Sequence, residues 1–218
     1  MNDAAILGRL ADAVERLDVR GVPALIHEAM AAGHTPSVIL SDGLSKGMQR
    51  VGTRFKTGEM FMPEVLVACD VYYAGLAILK PLLAAKGDSH VVATMVLGTI
   101  YGDVHTVGKD VAIPVFEASG LRVIDLGVNV DDQRFVEAIR QHNPAIVGLG
   151  TYMTSTFMHT KETVAAITKA GLRDHVKIIC GGPAVDAEAA RKMGADDASD
   201  DAWKGVEKIK QLLAASTR

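Results

Sequence analysis

From residue 89 onward the chain alternates between two hydrophobic periods, and this alternation limits the possible fold more than any other feature. Short apolar runs rich in β-branched residues lie at 91–97, 122–126, 145–149 and 176–180, with a weak fifth near 195–198. They are too short for typical helices and read as buried strands. Segments of helical spacing separate and follow them, near 109–119, 131–142, 156–170, 184–193 and 202–214. Strands alternating with helices in this way imply right-handed βαβ units and a parallel sheet. Five strands fit the flavodoxin-like order 2-1-3-4-5 better than a larger Rossmann sheet.

The first part of the chain has a different pattern. Residues 3 to 86 show no strand alternation. Ile6, Leu10, Val14 and Leu17 share one helical face, and Val22, Leu25, Ile26 and Met30 another. Thr35-Pro36 is a good N-cap and first-turn pair for a third helix through Ile39, Leu40, Leu44 and Met48. Gly58 to Pro63 breaks the pattern, and Pro63 opens a fourth helix with a kink expected at Pro81. The sequence therefore predicts a four-helix bundle over 1–88, a linker at Lys86-Gly87-Asp88-Ser89, and an α/β domain over 89–218.

The 218 residues carry a formal net charge of −3, which leaves no basic footprint for nucleic acid or an anionic membrane. No apolar run reads as long enough to span a bilayer, and the first residues form an amphipathic pattern unlike a secretory signal. Cys69 and Cys180 are expected as buried, reduced thiols in a cytoplasmic protein.

Ligands of open α/β sheets bind beyond the carboxyl ends of the strands. The segment Gly98–Val107 reads as the loop after the first strand and holds Asp103, His105 and then Gly108 as D-x-H-x-x-G. Residues two apart in an extended loop point the same way, so the carboxylate can hold one ring nitrogen while the other faces a metal. Dinuclear hydrolases also use Asp and His on such loops, but no further histidines stand at strand ends here. A single protein ligand suffices if a macrocycle supplies the rest of the coordination sphere. The loops after the third and fourth strands, Gly148 to Thr156 and Gly181-Gly182-Pro183, are rich in Gly and hydroxyl residues. With the first loop they describe a slot running down beside the sheet.

GDVHTVGKD resembles the D-x-H-x-x-G signature of cobalamin-binding domains, and IVGLGTYMTST and IICGGPAV look like their two further motifs. GMQRVGTRFKTGEMFMPEVLVACD is similar to the helical bundle preceding this domain in methyltransferase corrinoid proteins. The resemblance implies His105 as lower axial ligand to cobalt, with Asp103 and Thr156 completing a proton relay. It implies a corrin contact from Gly102, Val104, Thr106, Val107 and Gly108. It further implies a slot for the displaced nucleotide tail, lined by Gly148, Gly150, Thr151, Tyr152, Met153 and Thr154 and by Gly181, Gly182 and Pro183. Phe61, Met62 and Val65 would cap the upper face. Such families usually have serine where Gly150 stands, in an S-x-L element, and aspartate where Thr106 stands.

On this resemblance the chain is expected to carry a methyl group on cobalamin or a related corrinoid (methylcobalamin, hydroxocobalamin). A substrate-specific methyltransferase would load Co(I) from a small methyl donor, and a methyl-acceptor methyltransferase would unload it. A reductive activation protein would restore the cobalt. The alternative is a cobalamin-binding sensor module, which would need an output element that the residues do not show.

Overall fold

The computed structural model describes residues 3–86 and 91–216. The chain divides into two compact units, Met1–His90 and Val91–Arg218. The expected linker residues Gly87 to Ser89 lie outside the described residues.

In the first unit, α1 (Asp3–Glu15) and α2 (Gly21–Ala31) bury the faces their apolar spacing marks, with Leu10, Val14, Val22 and Ile26 fully enclosed. Thr35 caps the next helix, its Oγ1 accepting the Val38 N–H at 3.3 Å. The backbone is then helical over 36–56, as α3 (Pro36–Val38), a π-helical segment (Ile39–Ser45) and α4 (Lys46–Lys56). Glycines allow α1 to come close: a Cβ at Gly43 would stand 2.5 Å from Leu10 Cδ2, and one at Gly47 2.5 Å from Val14 Cβ. The fourth expected helix is α5 (Met62–Lys86), which continues through Pro81.

α5 corrects one expectation. Its segment Met62–Leu83 is long and apolar enough, by length and composition, to cross a membrane. The same helix buries Val65, Ala68, Cys69, Val71, Tyr72 and Leu79, as a core helix of a bundle does.

The second unit contains a five-stranded parallel sheet in the order β2-β1-β3-β4-β5. Its elements are β1 (Ala93–Thr99), α6 (Val107–Ala118), β2 (Leu121–Asp125), α7 (Asp132–His142), β3 (Ile146–Gly150), α8 (Phe157–Lys169), β4 (Lys177–Gly181), α9 (Ala187–Lys192), β5 (Asp197–Ser199) and α10 (Ala202–Ser216). Alternate strand residues point to opposite faces. Val96, Val147, Leu149, Ile178 and Cys180 pack with Phe135 and Ile139 of α7 and with Val164 and Ile167 of α8. Met95, Leu97, Ile146 and Ile179 pack on the other face with Phe116 of α6 and Ile209 of α10. The sheet is therefore covered on both sides, as an all-parallel sheet requires.

The strands end later than their apolar runs suggest. Val91 and Val92 are exposed, and Gly98 and Thr99, read as the start of a loop, are the last two residues of β1. Their backbones pair with Leu149 and Gly150, which carries the strand past its apolar run. Thr99, Gly150 and Gly181 consequently stand side by side across three strands, setting the floor of the site. The acidic run after α9 is structural. Asp196 accepts the Ile178 N–H at 2.7 Å, Asp197 pairs with Lys208 at 2.9 Å, and Asp201 accepts the Trp203 N–H at 2.8 Å at the start of α10.

Candidate functional site

The loop between β1 and α6 is held from beneath and from the side. Thr99, wholly buried at the end of β1, donates its hydroxyl to the His105 carbonyl at 3.0 Å. Asn129, from the loop after β2, accepts the Gly102 N–H at 2.8 Å and donates its own backbone N–H to the Asp103 carbonyl at 2.9 Å. Gly102 has a φ of 77°, a turn conformation that a side chain would strain.

This frame places Asp103 with no exposed surface. Its Oδ1 accepts the His105 backbone N–H at 3.0 Å and faces His105 Nδ1 at 2.8 Å. Its Oδ2 accepts the Tyr152 N–H at 2.8 Å and stands 3.4 Å from the Thr156 hydroxyl. That hydroxyl has one proton and lies closer, 3.0 Å, to the Met153 carbonyl. Burial pushes the Asp103 carboxyl up. The backbone N–H groups of His105 and Tyr152, with the His105 ring, outweigh that and hold it below the usual carboxylate range. An ionised Asp103 accepts, so Nδ1 of His105 carries the proton and Nε2 keeps its lone pair. The His105 side chain is 53% exposed. Among the described residues no three His, Cys, Asp or Glu side chains gather as a ligand set.

Lys109, in the first turn of α6, is 4% exposed and pairs with Asp125 at 2.7 Å and Asp110 at 3.2 Å. Burial lowers its pKa, and the two carboxylates more than restore it, leaving it above the usual lysine value. Thr106 donates to Asp110, so the expected position beside the ligand histidine is tied to the first turn of α6. Val104 and Val107 are exposed, as is Tyr101, which meets His159 edge-on at 5.2 Å.

The second and third loops meet the first around one side chain. A Cβ added to Gly108 would stand 2.5 Å from Tyr152 Cε1, one at Gly150 3.1 Å from Cε2, and one at Gly182 3.0 Å from Cδ1. The Tyr152 ring thus lies between all three loops, 5.9 Å from the His105 ring between centroids. Burial, with the nearby Asp103 and Asp110 carboxylates, pushes its phenol up to about 12. The Tyr152 ring therefore stands where the three loops expected to line the slot converge. Thr151 turns inward, its hydroxyl 2.8 Å from that of Thr160, so only its backbone borders the slot. Gly148 is not at the slot either. A Cβ there would meet Met95 Cε at 2.4 Å and Leu97 Cδ1 at 2.6 Å, which makes it a packing position of the sheet. Gly181 borders open space, while Thr154 and Pro183 are exposed and Met153 is half-buried.

Residues 93–204 match a family model described as a B12 binding domain, and residues 6–80 match a second model of the same description. The chain is 34% identical to trimethylamine corrinoid protein 1 of Methanosarcina acetivorans, over 95% of this chain and 97% of that one. It is 35% identical to the dimethylamine corrinoid protein of Methanosarcina barkeri, over 98% and 100%. The chain belongs to the methyltransferase-associated corrinoid proteins.

Solved structures agree with the fold expected of such corrinoid proteins. A cobalamin-binding protein from Desulfitobacterium hafniense superposes with a TM-score of 0.77 at 32% identity, covering 94% of this chain and 98% of that one. A chain of the methanol:cobalamin methyltransferase complex of Methanosarcina barkeri gives 0.84 at 24% identity, covering 96% and 80%, and shows the fold alone. A corrinoid is therefore the cofactor of this chain, and its residues fit one. A single imidazole is held by a buried carboxylate at Nδ1, with Nε2 left to donate. Sequence reading missed Thr99 and Asn129, which hold the loop but lie outside the D-x-H motif. For Thr99, a hydroxyl closing the apolar run that begins at Met95 is the one available signal.

Two cap candidates, Phe61 and Met62, are 66% and 39% exposed at the start of α5. Val65 has no exposed surface, because it turns inward on the same helix. It is corrected to a core position.

Proposed function

We propose that this protein carries a methyl group on a corrinoid whose cobalt is held from below by His105. When bound, the corrinoid supplies a metal centre that accepts and yields the methyl group. His105 would hold the metal through Nε2, with Asp103 fixing the ring's orientation and keeping the proton on Nδ1. Asp103 would also stabilise positive charge on the imidazole. Thr156 is the outer member of this relay, and sharing its proton between Met153 and Asp103 lets it follow the carboxylate. Gly102, Val104, Thr106, Val107 and Gly108 would border the corrin, while Gly150, Tyr152, Met153, Thr154, Gly181, Gly182 and Pro183 border the slot for its nucleotide tail. Phe61 and Met62 would shield its upper face from water.

The relatives named for di- and trimethylamine support a methylated amine as the donor class. A methyltransferase specific for that donor would load the protein and a second would unload it, with a reductive activation protein restoring the cobalt. The observation that carries this reading is the 2.8 Å contact between Asp103 Oδ1 and His105 Nδ1, which reserves Nε2 for the metal. The test is His105→Ala reconstituted with hydroxocobalamin. Wild-type protein labelled with 15N-histidine should show hyperfine coupling from one histidine nitrogen in the spectrum of the reduced cobalt. The variant should fold and lose that coupling. Coupling that persists in the variant would remove His105 from the metal.

A further inference from the structure

The position of the Tyr152 ring bears on which corrinoids this chain accepts, and the argument rests on the tail-slot reading above. Three backbone walls from three loops approach the same ring closely enough that a Cβ on any of them would intrude, at 2.5 to 3.1 Å. At Gly108 a Cβ would clash with the ring outright, and at Gly150 and Gly182 it would press on it, so glycine at these positions gives the ring its room. The ring stands where the three loops proposed to line the slot converge. An aromatic base on a nucleotide tail would claim the same space.

The Tyr152 N–H is bonded to Asp103 and the Thr151 N–H to the Gly181 carbonyl at 2.7 Å, so the backbone is tied at two points and the side-chain torsions are the freer movement. The S-x-L element of related sequences reads Gly150-Thr151-Tyr152 here, and the two changes are coupled. A serine Cβ at 150 would stand 3.1 Å from the ring, so the small residue is what admits the large one.

We propose that the Tyr152 ring gates this slot and sets the chain's discrimination between corrinoids with a nucleotide tail and those without. The ring occupies the slot until the tail displaces it, so a tail-bearing corrinoid meets a binding-competent state that is a minor population. Apparent affinity falls by the fraction of that state, and removing the obstacle restores it. A tailless corrinoid does not meet the obstacle.

The experiment titrates cofactor-free protein with hydroxocobalamin and with cobinamide, which lacks the tail, and follows equilibrium and association rate by visible absorption. Tyr152→Ala should raise affinity and association rate for cobalamin by about tenfold, as for a competent state populated about one time in ten. Cobinamide binding should be unchanged. Tyr152→Phe keeps the ring and should match wild type. Gly150→Ser should press on the ring and move cobalamin binding in the same direction as Tyr152→Ala. Weaker cobalamin binding by Tyr152→Ala, or equal effects on both corrinoids, would overturn the gate. Failure of wild-type protein to bind either corrinoid would instead overturn the site reading on which the gate depends.

Discussion

Asparagine in place of Asp103 would keep the side chain's shape and lose what the site requires of it. Both oxygens accept from N–H donors, Oδ1 from His105 and Oδ2 from Tyr152. An amide offers one acceptor and sets an NH2 against a donor whichever way it is turned, inside a site with no exposed surface. Asp103→Asn should therefore destabilise the fold at neutral pH by about 1–3 kcal/mol, measured by urea unfolding. The sign with pH follows from the carboxyl's lowered pKa. A group depressed in the folded state contributes stability above its unfolded pKa of about 3.9 and loses it as pH falls through the folded value. The gap between wild type and variant should then narrow below about pH 4; a gap that widens there would contradict the assignment. The D-x-H pair is legible in sequence because its geometry is local: two residues apart on an irregular loop, one oxygen reaches the neighbouring ring. The Asn129 contact spans 27 residues and exists only because the loop after β2 comes beside the loop after β1, which no local pattern encodes. The position of the Tyr152 ring is hidden for the same reason, since three loops define it.

Among the elements, the strands and their order are legible because burial on both faces leaves continuous apolar runs. Their ends are not, because Gly98, Thr99, Gly150 and Gly181 join the ladder through backbone groups alone. The π-helical turn over Ile39–Ser45 is likewise silent, since apolar spacing does not distinguish one hydrogen-bond step from another. The close approach of α1 to α4 offers a test of packing against propensity. Alanine is the better helix former by about 1 kcal/mol, which favours any Gly→Ala change in a helix. At Gly47 the new Cβ would meet Val14 Cβ at 2.5 Å and the Ala11 carbonyl at 2.9 Å, neither of them the end of a flexible chain. Overpacking of that kind costs about 1–3 kcal/mol, so Gly47→Ala should lower the urea midpoint. Gly8, in α1, has nothing within 4 Å of its would-be Cβ, and Gly8→Ala should raise the midpoint. Equal shifts in both variants would show that propensity, not approach, governs these positions.

At the scale of the whole molecule, the two units raise the question of whether the cofactor stabilises one or both. A ligand that binds only the folded state adds about 2.7 kcal/mol at a concentration one hundred times its dissociation constant. For a chain of 218 residues each kcal/mol raises the melting temperature by about 2–4 °C, so saturating cobalamin should raise it by about 5–10 °C. The proposed slot residues and His105 belong to Val91–Arg218, and binding that used them alone would protect that unit only. Phe61 and Met62 on α5 are exposed, and if they cap the cofactor as proposed, covering that apolar surface would extend the gain to the helical unit. Amide hydrogen exchange with and without cobalamin separates the cases. Slower exchange in both units, with the effect on Met1–His90 lost in Phe61→Ala/Met62→Ala and kept on Val91–Arg218, is the expected result. Protection confined to Val91–Arg218 in the wild type would leave the helical unit without a part in holding the cofactor.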